Sequence, residues 1–116
     1  MGIDKIRKRL SKFAEERNWD QFHSPKNLSM ALAAEAAELL EIFQWLTEKE
    51  SREIINDEKE MSLIKEEIAD IAIYLVRIAD KLDVDIEKAV FKKIAANEKK
   101  YPIELAKDNA KKYNKR

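Results

Sequence analysis

Four acidic residues, Glu35, Glu38, Glu67 and Asp70, interrupt two otherwise apolar stretches, Leu32-Ala33-Ala34-Glu35-Ala36-Ala37-Glu38-Leu39-Leu40 and Glu67-Ile68-Ala69-Asp70-Ile71-Ala72-Ile73. Residues three apart on a helix lie about 60° apart around its axis, so each pair shares a face. Removing an unpaired carboxylate from water is costly. Gathering several adds repulsion of about 1–4 kcal/mol per close pair at effective dielectric constants of 80 to 20. No Lys or Arg lies within residues 27–46 or 68–76 to offset the charge. Such a set, turned inward, suits divalent cations, and all-oxygen ligation suits Mg²⁺ or Mn²⁺ rather than Zn²⁺. The competing reading places the same acids on the wet edge of each helix.

Other chemistries find little support. Cysteine is absent, which removes thiolate nucleophiles, disulfides and Cys-ligated metals. The one histidine, His23, has no Ser-Asp pair in a matching context for a nucleophilic triad. Asp20-x-x-His23 has the spacing of half a di-iron site, but it falls outside the predicted helices and such a site needs two acid-x-x-His pairs. A single glycine, Gly2, leaves no Gly-rich loop for a phosphate.

Amphipathic helices must position these acids. Ile3, Ile6, Leu10 and Phe13 predict a first helix over residues 2–17. Ser24-Pro25 reads as an N-cap with proline at the first helical position, starting a second helix that runs to about Leu46. Thr47 and Glu50 have capping-box spacing and predict a short helical turn. Met61, Ile64, Ile68, Ile71, Leu75, Ile78 and Leu82 form the stripe of a third helix, about 60–82. Asp83 or Asp85 can cap a fourth, about 86–100, with Ile86, Val90, Phe91 and Ile94 inward and Tyr101-Pro102 at its end. The expected class is all-α, a four-helix bundle over residues 1–106 with a basic tail at 107–116.

The chain has 116 residues, enough for one domain, and is 40% charged with a net charge of zero. Residues 35–70 hold twelve acids and four bases, whereas residues 92–116 hold nine bases and three acids. No apolar run is long enough to span a membrane and no leader is visible, so a cytoplasmic location is expected. Zero net charge and the lack of a recognition motif argue against nucleic acid as a partner. The heavily apolar second helix predicts burial against further copies of the chain.

Four blocks, taken together, resemble a known family. They are Trp19-x-Gln21-Phe22-His23-x-Pro25-x-Asn27-Leu28, Glu35-x-x-Glu38-Leu39-x-Glu41-x-Phe43-Gln44-Trp45, Glu66-Glu67-x-x-Asp70-x-x-x-Tyr74-Leu75 and Lys93-x-x-x-Asn97-x-x-x-Tyr101-Pro102. In this order and spacing they are similar to the all-α nucleoside triphosphate pyrophosphohydrolases of the MazG type, in the dCTP pyrophosphatase branch, over about residues 8–113. The resemblance implies cleavage of a (d)NTP, with dCTP or a modified dCTP expected, into a monophosphate and pyrophosphate. It implies Mg²⁺ ligation by Glu35, Glu38, Glu67 and Asp70, and a nucleotide surrounded by Trp19, His23, Trp45, Tyr74, Lys93 and Asn97. It also implies a tetramer of bundles, with sites near subunit interfaces. Glu38 is the candidate to orient or deprotonate the attacking water, with Glu41 and Glu66 as supporting groups. Residues 46–59 depart from the looser loop of some members, being charged and helix-favouring without Gly or Pro. The alternative function is a non-catalytic helical binding or oligomerisation module.

Overall fold

Each helix begins where a side chain can satisfy the backbone N–H groups left free in its first turn. In the computed structural model, which describes residues 2–108 and 110, six α-helices follow one another: α1 Gly2–Glu16, α2 Pro25–Phe43, α3 Glu48–Glu53, α4 Glu58–Lys81, α5 Ile86–Lys100 and α6 Ile103–Ala106. Short 3₁₀ turns lie at Asp20–Phe22 and Ile54–Asn56, and no strand occurs among the described residues. Ser24 Oγ accepts from Asn27 N at 3.1 Å with Pro25 at the first position of α2. Thr47 and Glu50 close the expected capping box, at 2.9 and 3.1 Å. Asp85, not Asp83, caps α5 by accepting from Lys88 N at 3.1 Å.

Two boundaries differ from the sequence expectation. The second helix stops at Phe43, because the chain must turn out of it for Thr47 to open its own cap. The third begins at Glu58, because Asp57 accepts from Glu60 N at 3.1 Å. Helix ends that other proteins give to glycine are made here by Asn18 (φ 53°) and Asp83 (φ 56°). After each, the backbone folds back as a Schellman motif requires, with Trp19 N donating to Ala14 O and Val84 N to Ala79 O, both at 2.8 Å. Asn and Asp tolerate this left-handed geometry better than other residues with side chains.

The chain forms two compact units, Met1–Val84 and Asp85–Arg116. In the first, α4 is the central helix; it packs most extensively on α2 and also on α1. The core consists of Ala14 from α1, Leu28 from α2, and Ile64, Val76 and Ala79 from α4. Ile68, Leu75 and Leu82 belong to the predicted α4 stripe but are exposed, as are Met30 and Leu40 of α2. In the second unit, Tyr101 N closes α5 on Asn97 O at 2.9 Å, and Pro102 precedes α6. Val90, Phe91 and Ile94, expected to face inward, are exposed, because the short second unit offers little chain to cover α5. Of the basic tail, Asn109 and residues 111–116 lie outside the described residues. None of the described helices is long and apolar enough to cross a membrane.

Candidate active site

The extensive packing of α2 on α4 brings acids together from both helices. One carboxylate oxygen from each of Glu35, Glu38 and Glu67 lies within 4.8 Å of the others. Glu35 and Glu67 are half-buried and Glu38 is exposed. Apolar neighbours drive this placement: the face that carries Leu28 into the core carries Glu35 toward α4 one helical repeat later.

Two carboxylate oxygens of these residues, Glu35 Oε2 and Glu67 Oε2, are buried and have no hydrogen-bond partner. Carboxylates only accept hydrogen bonds, so each is left unsatisfied when ionised. The neighbouring Glu35 carboxyl, then loss of water contact, then Glu38 raise the Glu67 carboxyl to about 7. The pair thus calls for a proton or a cation. A divalent ion with bonds of about 2.1 Å spans at most about 4.2 Å between opposite ligands. A set within 4.8 Å is close to that span, so small side-chain adjustments bring it to binding geometry, and the donors fit a hard cation.

Asp70 lies one turn beyond Glu67 on α4, half-buried, and outside the three-carboxylate group. Tyr74 follows one turn later, also half-buried. Trp45 comes just after α2 and is 86% exposed. Glu41 and Glu66 are exposed. Lys93 and Asn97 are exposed, share one face of α5, and belong to the second unit. An open cleft of about 460 Å³ near the end of α2, lined by Ile42, Leu46, Glu50, Glu53, Ile54, Asp57 and Glu60, contains none of the predicted site residues.

Trp19 and His23 flank the 3₁₀ turn between α1 and α2. Their rings meet edge-on, with centroids 6.4 Å apart, and Trp19 packs on Phe13 at 5.6 Å. The turn is laced by its own side chains: Gln21 Nε2 donates to Asn18 O and Asn27 Nδ2 to Phe22 O, each at 3.0 Å. The Gln and Asn of the first sequence block are therefore scaffolding for the Trp and His.

Arg77 is not among the residues that the sequence singles out. It is only 3% exposed, and it ties the turn to α4. Its Nη2 donates to Asp20 Oδ1 at 2.7 Å and its Nε to His23 Nδ1 at 3.3 Å. Asp20 Oδ1 also meets Lys81 Nζ at 2.9 Å, and Asp80 bridges Arg77 (3.7 Å) and Arg7 (3.5 Å). Burial, with the Arg77 charge second, lowers the His23 pKa below its usual 6.5. Lys81 and Arg77 together hold the Asp20 carboxyl below the usual carboxylate range. Asp20 and His23 thus serve a guanidinium rather than a metal. The available signal was an arginine at the end of an apolar stripe, at i−4 to a lysine and i−3 to an aspartate.

A sequence profile described as the MazG-like family matches residues 30–115. The chain belongs to the MazG-like family. This MazG-like chain is 40% identical over 111 residues to dCTP pyrophosphatase 1 of both Rattus norvegicus and Homo sapiens. The match takes in 96% of the chain but only 65% of the length of those relatives. A crystal structure of a pyrophosphatase from Archaeoglobus fulgidus superposes with a TM-score of 0.79 at 38% identity, covering 88% of this chain and 94% of that one.

Proposed function

We propose that this MazG-like chain is a nucleoside triphosphate pyrophosphohydrolase, with residues 1–106 as its working domain. Its substrate in this reading is a (d)NTP, in particular dCTP or a modified dCTP. The observation that carries the proposal is the convergence of Glu35, Glu38 and Glu67, with two buried carboxylate oxygens that lack any donor. A binding module has no need of so unfavourable a cluster. The names of the relatives support the same reaction class.

Glu35, Glu38, Glu67 and Asp70 are the proposed ligands of Mg²⁺, for which Mn²⁺ can substitute. When bound, the ion neutralises phosphate charge and favours departure of pyrophosphate. The chain's own residues do the rest. Glu38, the exposed member of the cluster, accepts a proton from a water molecule placed in line with the α-phosphorus. A bond forms from that oxygen to phosphorus, and the bond from the α-phosphorus to the oxygen bridging to the β-phosphate breaks. Pyrophosphate leaves with the electron pair, the monophosphate remains, and Glu38 returns its proton to solvent. Lys93 and Asn97, one turn apart on α5, are proposed to meet the phosphates. Trp19, His23, Trp45 and Tyr74 are proposed to hold the nucleoside, with the aromatic rings stacking on the base.

A tetramer is the proposed assembly. The exposure of Trp45 on its own chain, and of Phe91, Val90 and Ile94, supports burial against further copies. The test is a panel of nucleoside triphosphates assayed with and without Mg²⁺. Monophosphate and pyrophosphate are the expected products, with dCTP among the best substrates. Absence of turnover with every nucleotide, or release of orthophosphate and a diphosphate, overturns the reading.

A further inference from the structure

Buried guanidinium groups are costly and need a reason. Arg77 has three polar neighbours: Asp20, Asp80 and the ring of His23. The two aspartates account for its charge. The histidine does not, since a ring nitrogen brings no negative charge. A guanidinium has five N–H donors and no acceptor, so the Nδ1 atom it contacts must carry a lone pair. In a neutral imidazole the proton then resides on Nε2. Arg77 Nε and Nη2 lie 3.3 and 3.2 Å from that Nδ1, so two donors face one lone pair. Protonating Nδ1 would replace both contacts with repulsion.

The location gives this a purpose. Going from Glu67 to Arg77 on α4 advances ten residues, about 15 Å along the axis. Going from Glu35 back past the start of α2 to His23 covers a similar stretch of chain, and the meetings of Glu35 with Glu67 and of His23 with Arg77 run in opposite chain order, as in an antiparallel pair. The carboxylate cluster and His23 therefore lie at two levels of the same helix pair, as the phosphate and nucleoside ends of one extended ligand would need.

We propose that Arg77 is a positioning residue that fixes His23 with Nδ1 as acceptor and Nε2 protonated, so that the ring offers bound nucleotide a donor for a phosphate oxygen or base carbonyl. This rests on the reading of the chain as a nucleotide hydrolase. The two cations near the ring help to keep it so. Arg77 and Lys81 oppose a second proton, and Asp20, which would favour one, has one carboxylate oxygen, Oδ1, engaged by both cations.

Because His23 is the only histidine, its ring gives the only imidazole signal in a ¹⁵N-labelled protein purified without a histidine tag. Long-range ¹H–¹⁵N correlation of the wild type at pH 7.5 should show a neutral ring with the proton on Nε2. In Arg77→Met the ring should titrate at higher pH, and KM for dCTP should rise about tenfold, the worth of one hydrogen bond, with kcat within about twofold. Arg77→Lys, which keeps a cation and a donor, should recover part of both changes. A ring charged or protonated on Nδ1 in the wild type overturns the inference. So does an unchanged KM in a folded Arg77→Met, or, if that variant does not fold, in Arg77→Lys. A wild type that turns over no nucleotide instead removes the functional reading and with it the role of the donor, a failure told apart by the intact ring signal.

Discussion

Glu67 shows how a single side chain reports on the whole site. Its carboxyl, raised from 4.5 to about 7, still holds a proton in the folded chain at pH values where the unfolded chain has lost it. Without a divalent cation, its contribution to stability is therefore fully present below about 4.5 and is lost as pH rises through about 7. His23 works in the opposite direction: its lowered pKa makes its contribution present above 6.5 and lost as pH falls. Thermal midpoints measured without metal should fall from pH 6 to pH 8, and added Mg²⁺ should raise the value at pH 8 most. Glu67→Gln should raise the metal-free midpoint at pH 8 and abolish its response to Mg²⁺. A midpoint at pH 8 equal in the variant and the wild type, with or without Mg²⁺, would contradict this. Whether the acids meet across α2 and α4 or turn to water was left open by spacing, but the shared face that Glu35 and Glu38 bring to the group with Glu67 was legible in it. The offset of Asp70 from that group was not, since it depends on how α2 and α4 rotate against each other.

At the scale of elements, the turn between α1 and α2 is held by charge. Arg77 is buried, whereas its partner Asp20 has a half-exposed side chain. Removing the aspartate leaves the guanidinium desolvated, with the neutral His23 ring beside it and only the 3.7 Å contact to Asp80 to balance its charge. Removing the arginine leaves acids that water can reach. Asp20→Ala should therefore cost about 2–3 kcal/mol in denaturant unfolding, near the lower end of what breaking a buried pair costs, and more than Arg77→Met. Asn18 adds a smaller, opposite case. With φ at 53°, Asn18→Gly should be neutral or slightly stabilising, whereas Asn18→Val should destabilise by about 1 kcal/mol or more. The starts of α2 and α3 were legible because Ser24 and Thr47 cap through local spacing, and that of α5 was narrowed to Asp83 or Asp85. The Schellman turns at Asn18 and Asp83 were not, since glycine, the usual marker, is absent there. Nor was the Arg77 network, which joins Arg77 to Asp20 and His23 across more than fifty residues of chain.

For the whole molecule, apolar surface is the feature that remains to be accounted for. Trp45, Leu40, Ile68 and Phe91 are exposed on a single chain of 13.6 kDa. Size-exclusion chromatography with light scattering should give a multiple of that mass, with four copies expected; a 13.6 kDa particle would contradict it. The helical class was legible from periodicity, which needs only the sequence. The exposure of Val90, Phe91 and Ile94 on α5 was not, because an apolar stripe looks the same whether its partner lies in the same chain or in another. The proposed gathering of α2 and α4 acids around a divalent ion for pyrophosphohydrolysis turns on pyrophosphate release from dCTP with Mg²⁺, compared between the wild type and Glu67→Gln of unchanged helical content. The expected result is steady release by the wild type and a loss of about 100-fold or more in the variant, at or beyond the upper end of what even a residue supporting a ligand costs. Equal rates in the two proteins would contradict the account.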